Sequence, residues 1–341
     1  MTPKTQKFLY GGCTAAAILL IVALCICVPM CSESSPKEAL IKIPANATTQ
    51  NVTDTLTKYL GEKYTSLVMR ASKFRGSDLS KWHGAYLIEE GMSPRKAERI
   101  IATGSQHPFM ITINGFRGIP KLADRIALKV DFSSDSLQKV LADKNFMNKF
   151  GLTPEQALSV FIDDSYEIFW NVSPEGLVNK VGDHYKKVWN KERTAKAKEL
   201  GLTPAEVMIL CSIVDEESNK IDDKGRIGRL YINRLQKGMK LQADPTVKFA
   251  LGDFSLRRIL NKHLTVKSPY NTYMVEGLPP GPIRTTSVAT IDSVLYSVPH
   301  NYLYMCAKED FSGYHAFAET YSEHMENARR YQRALNERGI K

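Results

Sequence analysis

Cysteine is scarce in this chain: six among 341 residues, and four of those, Cys13, Cys25, Cys27 and Cys31, lie in or beside one N-terminal apolar run. Cys211 and Cys306 alone are left for the rest, too few for a disulfide framework. One pairing between them stays open, although Cys211 falls on an apolar helical stripe and reads as a small buried hydrophobe. No C-x-x-C pair and no His/Cys cluster is present, so nothing points to zinc, and no metal is called for. Acid is short relative to base: 36 Asp and Glu against 46 Lys and Arg leave a net charge of +10. That excess is spread along the chain and fits an anionic partner, whether a lipid surface, a polyanionic polymer or a nucleic acid. The lack of any RNA- or DNA-reading motif argues against nucleic acid. Internal repeats are also lacking. Hydrophobic content of 43% with 24% charge is ordinary, enough for the cores of two modest domains.

One segment departs from that composition. From Phe8 to Met30 no side chain is charged, and at ~1.5 Å per residue such a helix reaches ~35 Å, enough to cross a bilayer core. Lys4 and Lys7 before it favour a cytoplasmic N-terminus, a mild bias because Lys37 and Lys42 follow closely. A cleaved signal peptide is the competing reading. Against it, the run exceeds a usual signal core, and Val28-Pro29-Met30-Cys31 makes a poor small-residue cleavage site. The expected organisation is a cytoplasmic tail and single-pass anchor over 1–31, meeting the bilayer through residues 8–30, and a polar linker over 32–39. An extracytoplasmic remainder follows, with a small module over 40–116 and a larger domain over 117–341, its core at 200–320.

Local patterning gives an α+β class. Ile41-Lys42-Ile43, Tyr86 to Gly91 and Phe109 to Ile113 read as strands, with Val52–Leu60 an amphipathic helix. Ser93-Pro94 opens another helix, with Ser at the N-cap and Pro at the first helical position. Helices are expected at Pro120–Val130, at Ser133–Ala142, and from Ser173-Pro174 onward into the basic run Lys186–Lys198. Thr203-Pro204-Ala205-Glu206 is a capping box for a helix reaching about Asn219. Arg226–Lys237 follows, then a short helix whose cap is read as Asp244, and another that Ser287 caps. Tyr302–Ala307 and Gly313–Phe317 read as a hairpin before a final helix from Thr320.

Three acids stand in a row, Asp215, Glu216 and Glu217. At ~100° per residue Leu210 lies ~20° from Glu217, with Ile213 and Val214 within ~60°, so Glu217 continues the apolar stripe of its helix. Asp215 falls ~160° away, on a face expected to point outward. A carboxyl at the end of a core-facing stripe is partly desolvated, which raises its pKa toward that of a general acid. A structural Glu that caps a neighbouring helix or pairs with Arg234 fits the same periodicity.

The C-terminal half carries six motifs in order: Ser212-Ile213-Val214-Asp215-Glu216-Glu217, Tyr231-Ile232-Asn233-Arg234-Leu235, Met239 to Val247, Tyr270-Asn271-Thr272-Tyr273, Gly277 to Ile283 and Gly313-Tyr314-His315-Ala316-Phe317. On these the chain resembles the YceG-like family, the endolytic murein transglycosylases. Asp163 to Trp170 looks like a diverged form of that family's aromatic-acidic segment, and the module over 40–116 is loosely similar to its LysM-like subdomain. The fold the resemblance implies is thus a transmembrane helix, a LysM-like α+β module and a mixed helix/strand YceG-like catalytic domain. Two departures stand out: the first acid of the motif is Asp215 where relatives usually carry Glu, and Arg284-Thr285-Thr286 follows Ile283 where they usually carry a Pro.

The resemblance implies that Glu217 is the catalytic acid/base for cleavage between N-acetylmuramic acid and N-acetylglucosamine, closing a 1,6-anhydro ring and limiting nascent strand length. It implies no metal or organic cofactor. Glycan strands are the implied substrate, with penicillin-binding proteins of wall synthesis as possible companions. Ser212, Asn233, Arg234, Gln242, Asp244, Tyr270, Asn271, Thr272, Tyr273 and His315 are the candidate substrate-binding residues, each also open to a structural reading. A hydrolytic muramidase, for which Asp244 or Glu276 would have to serve as second carboxylate, is one alternative. A non-catalytic wall-binding scaffold is another.

Overall fold

Capping chemistry sets most of the helix starts. The structure, a computed structural model, describes residues 28–256 and 258–339, together with Ala17 and Ile21. Thr48, Thr153, Thr203 and Thr320 each close a capping box with an Asn, Gln or Glu three residues on. Ser93, Ser173 and Ser287 each accept a backbone N–H at the start of theirs. These caps satisfy amides that a first helical turn leaves without intrahelical partners. The outcome is the expected α+β mixture, divided into two units.

The first unit comprises the chain to Met110 with two short returns, Lys129–Asp131 and Glu167–Val172. Its described elements are α1 (Val28–Ser32), β1 (Ala39–Ile43), α2 (Thr49–Leu60), α3 (Glu62–Arg75), β2 (Gly84–Ile88) and α4 (Pro94–Ala102). β1 and β2 pair antiparallel, Ile41 opposite Tyr86 and Ile43 opposite Gly84. Alternate residues Ala39, Ile41 and Ile43 are buried, as a two-residue period demands. They join Val52, Leu56, Trp82, Ile88, Ala97 and Ile101 in one core. α3 has no counterpart in the sequence reading; its buried face is Tyr64, Leu67, Val68 and Ala71, with Lys63, Arg70 and Lys73 exposed.

The apolar run from Phe8 to Met30 lies largely outside the described residues, and no described helix is long and apolar enough to cross a membrane. Met30, the last residue of that run, packs in α1 against Leu67 and Ala71 of α3. Ser35 is 3% exposed; its N–H donates to Met92 O, and its carbonyl accepts from Gly91 N.

The second unit comprises Ile111–Leu128, Phe132–Tyr166 and Ser173–Lys341. Strands β3 (Phe109–Ile113) and β4 (Asp164–Ile168), each divided between the two units, pair with each other. The helices are α5 (Ile119–Ala127), α6 (Ser134–Ala142), α7 (Lys144–Met147), α8 (Pro174–Val188), α9 (Lys191–Glu199), α10 (Pro204–Glu217), α11 (Ile221–Gln236), α12 (Asp244–Leu251) and α13 (Val288–Leu295). An antiparallel hairpin of β5 (Tyr304–Ala307) and β6 (His315–Ala318) and a last helix, α14 (Tyr321–Glu337), complete it. The basic run 186–198 is broken rather than continuous: α8 ends at Trp189 and Asn190 caps α9 anew.

α10 is the hub, packed on α11, α12, α13 and the 3-10 turn Pro154–Val160. Ala205 and every residue from Val207 to Asp215 are buried, so this helix is enclosed on all sides rather than along one stripe. Asp215, expected to face outward, is 7% exposed. α11 reaches α13 closely because Gly225 and Gly228 lie at the contact. A Cβ on Gly228 would stand 2.7 Å from the Val294 side chain, and one on Gly225 2.8 Å from the Ser293 carbonyl.

Candidate active site

Three successive acids end α10 and meet three different environments. Asp215 accepts from Lys224 Nζ at 2.5 Å and Thr290 Oγ1 at 2.7 Å, and from Thr286 Oγ1. Glu216 is gripped by Arg117, whose Nε and Nη2 each lie 2.8 Å from one carboxylate oxygen, and by Arg284 Nη1 at 3.0 Å. Arg284 and Thr286, which stand in the segment that departs from the family pattern, therefore hold Glu216 and Asp215 respectively. Thr285 between them accepts from Phe116 N and donates to Asp163; burial pushes the Asp163 carboxyl up.

Glu217 has one hydrogen-bond partner among the described residues. The Tyr231 hydroxyl on α11 donates to its Oε1 at 2.9 Å, leaving Oε2 without one. The residue keeps part of its surface open at the wall of a cleft of about 250 Å³ lined also by Gln242, Asp244, Tyr273 and His315. Loss of hydration pushes its carboxyl up to about 7, with Asp244 adding to the rise and the Tyr231 hydroxyl, His315 and Lys248 opposing it. Tyr231 is itself held far above the ordinary tyrosine range by burial and by Glu217, so it stays a donor. Since its proton points at Oε1, the acid proton of Glu217 belongs on Oε2, the oxygen left to the cleft.

The remaining candidates separate into two groups. Gln242, Asp244, Tyr273, His315 and Arg234 line the cleft with Glu217. Gln242 is exposed and holds φ at 49°, in the left-handed region, with its N–H on Thr272 O. Asp244 is not the helix cap the sequence suggested. Ala243 occupies that position, and the Asp244 carboxylate accepts from the Tyr273 hydroxyl at 2.6 Å. Arg234 pairs with no acid among the described residues; it donates to Leu303 O at 2.6 Å and Leu241 O at 2.7 Å, fastening the strand and loop that form the cleft wall. His315 donates or accepts at Nδ1 with Asp223, 2.7 Å away.

Ser212, Asn233, Tyr270, Asn271 and Thr272 lie outside that lining. Ser212 Oγ takes the N–H of Ile283. Asn233 Nδ2 donates to His300 O and Tyr302 O, and Asn271 Nδ2 to Leu264 O and Val266 O. Thr272 Oγ1 accepts from Ala243 N and meets Thr246 Oγ1 at 2.8 Å, and Tyr270 packs its ring 4.7 Å from that of Phe249. In the Gly277 to Ile283 motif, Gly281 packs so closely on the Glu155 carbonyl that a Cβ would stand 1.8 Å from it. Cys211 is fully buried, and both it and Cys306 are free thiols.

Two residues of the site escaped the sequence reading. Tyr231 was visible only as part of a motif, since nothing in its helix shows that it reaches back to Glu217. Asp223 is 1% exposed, and one carboxylate oxygen has no partner besides the His315 contact of the other. Its only sequence signal is an acid on the inner face of α11.

The YceG-like family model matches residues 41–330. The chain is similar to an endolytic murein transglycosylase of Bacillus subtilis (strain 168), 27% identical over 271 residues that cover 75% of this chain and 74% of that one. It is similar also to an endolytic murein transglycosylase of Streptococcus pneumoniae serotype 2 (strain D39 / NCTC 7466), 23% identical over 304 residues, 80% of this chain and 55% of the pneumococcal protein. The chain thus spans about half the length of that second relative. Among solved structures, a YceG-like protein from Listeria monocytogenes aligns with a TM-score of 0.55 at 24% identity, covering 85% of this chain and 98% of the other. That likeness is one of fold.

Proposed function

The chain belongs to the YceG-like family, and from that membership we propose that it is an endolytic peptidoglycan transglycosylase with Glu217 as its catalytic acid and base. The observation that carries the reading is a carboxyl poised near 7 in an open cleft, with its inner oxygen held by a phenol and its outer oxygen free. Near neutral pH such a group exchanges between a protonated form that can donate and an ionised form that can accept.

Protonated Glu217 gives its Oε2 proton to the oxygen between N-acetylmuramic acid and N-acetylglucosamine. The C1–O bond breaks, its electron pair leaves with the glucosamine O4, and an oxocarbenium-like sugar remains. The Glu217 carboxylate then takes the proton of the muramyl 6-hydroxyl as that oxygen closes on C1. A 1,6-anhydro end forms and Glu217 is protonated again, so one carboxyl completes the cycle without water. Gln242, Asp244, Tyr273 and His315 are positioned to hydrogen-bond the sugars or stack on them.

The same reading assigns residues 8–30 as the single membrane anchor, the module over 40–116 as LysM-like and glycan-holding, and the catalytic domain to the outer side of the cytoplasmic membrane. There it would trim nascent strands beside penicillin-binding proteins. Hydrolysis of the same bond is the second reading, and Asp244 favours it, because its carboxylate shares the cleft with Glu217. Glu276, the other candidate base, is exposed and outside the cleft lining. Purified sacculi incubated with the full chain in detergent, followed by mass spectrometry, separate the readings. Anhydro-ended muropeptides, lighter by one water, are expected, and Glu217→Gln should release none. Products carrying the extra water would reverse the choice. Unchanged cellular function of Glu217→Gln would favour a scaffold.

A further inference from the structure

The first unit holds a basic recess that the proposed cleavage does not use. Met30 and Cys31 of α1, Ala71, Phe74 and Arg75 of α3, and Arg95, Glu98 and Arg99 of α4 enclose about 370 Å³. Phe74 is 76% exposed, an aromatic ring with nothing packed over it. Arg95 and Arg99 are exposed and lie one helical turn apart. Arg95 also reaches Cys31, its Nη1 3.8 Å from Sγ. Glu98 is the only acid lining the recess among the described residues; it is 1% exposed, bonded by Ser77 Oγ and 3.5 Å from Arg75 Nη1. Three guanidinium groups against one carboxylate leave the recess cationic.

Its position says what it meets. The uncharged run from Phe8 ends at Met30, and Met30 lines the recess. A bilayer of ~40–45 Å with a ~30 Å hydrocarbon core has a headgroup layer of ~5–7 Å on each side. With residues 8–30 as the anchor, the edge of the hydrocarbon falls at Met30, which α1 pins onto α3 through Leu67 and Ala71, and the recess comes to headgroup depth. Exposed aromatic rings and arginines are the side chains that settle there.

We propose that this recess seats the phosphate headgroups of anionic phospholipids, with Phe74 dipping into the interface and Arg95 and Arg99 on the phosphates, while Arg75 stays with Glu98. The proposal rests on residues 8–30 being the anchor. It gives that anchor a lipid-selective collar, which fixes the first unit against the bilayer surface.

The test uses the full chain carrying Phe74→Trp in vesicles of phosphatidylglycerol and phosphatidylcholine, with bromine on the acyl chains of one lipid or the other. The unsubstituted chain, with three tryptophans, supplies the background. Indole quenching at equal bromolipid fraction should be at least roughly fivefold stronger when phosphatidylglycerol carries the bromine, the factor expected of each arginine at an anionic surface. Arg95→Gln with Arg99→Gln, both surface changes to be checked by thermal melting, should bring that ratio to near one. Equal quenching by both lipids overturns the proposal, as does loss of the ratio when inorganic phosphate is added in excess, which would mark a free-phosphate site. If the chain floats with vesicles but the indole is not quenched, the collar fails and the anchor stands. If it does not float, the anchor reading fails and takes the collar with it.

Discussion

Asp215 and Glu217 sit two residues apart on one helix, both withdrawn from bulk water, and they have opposite natures. Asp215 has a lysine and two hydroxyls around it, all donors. Glu217 has one neutral phenol and an open side. Withdrawal from water penalises charge on either carboxyl. A cation and two hydroxyls in contact with Asp215 offset that penalty, whereas Glu217, lacking such a partner, responds by moving its pKa. Burial alone thus makes neither a catalyst nor a strut; the partner decides which.

The contrast can be broken at its strongest point by Glu217→Gln. That change should lower release of anhydro-muropeptides by about 10²–10⁴-fold with the melting transition retained. A fully active variant would end the assignment. Removing the other acid should act on stability instead. Asp215→Ala leaves Lys224, half-buried, without its carboxylate and is expected to cost up to about 3–5 kcal/mol in urea titration, and Asp215→Asn with Lys224→Met should cost less. α11 carries both Lys224 and Tyr231, so pushing it off α13 should disturb both acids at once. Gly228→Leu, which collides with Val294, should cost about 1–3 kcal/mol and lower activity as well.

The finest distinction is in pH. Glu217 is held at about 7 against an ordinary 4.5, so the folded state binds the extra proton. Stability from this group is complete below about 4.5 and declines as pH rises through about 7. Glu217→Gln should flatten that decline. Tyr231→Phe removes a bond that holds the Glu217 carboxyl down, so the alkaline limb of activity should move to higher pH.

Glu217 was legible before any coordinates because the stripe Leu210, Ile213, Val214 carries it inward, and that stripe is local. Helix starts at Ser93, Thr203, Ser287 and Thr320 were legible for the same reason, since a cap is written within four residues. Asp215 was not. Apolar periodicity reports where the greasiest face lies and cannot tell that every face is covered. The partners that make Asp215 a strut are 9, 71 and 75 residues away along the chain. Asp223 with His315, 92 residues apart, escaped for that reason too. Arg284 and Thr286 looked like a departure from the family's proline and proved to be the groups that hold Glu216 and Asp215.

Gln242 carries a different consequence. A side chain other than glycine held at a φ of 49° forgoes about 1–3 kcal/mol of backbone comfort, and glycine would recover it. A laboratory selection for heat resistance alone would therefore drift toward glycine at this position. The winners of such a screen would outlast their parent in the thermal cycler and digest cell walls less well.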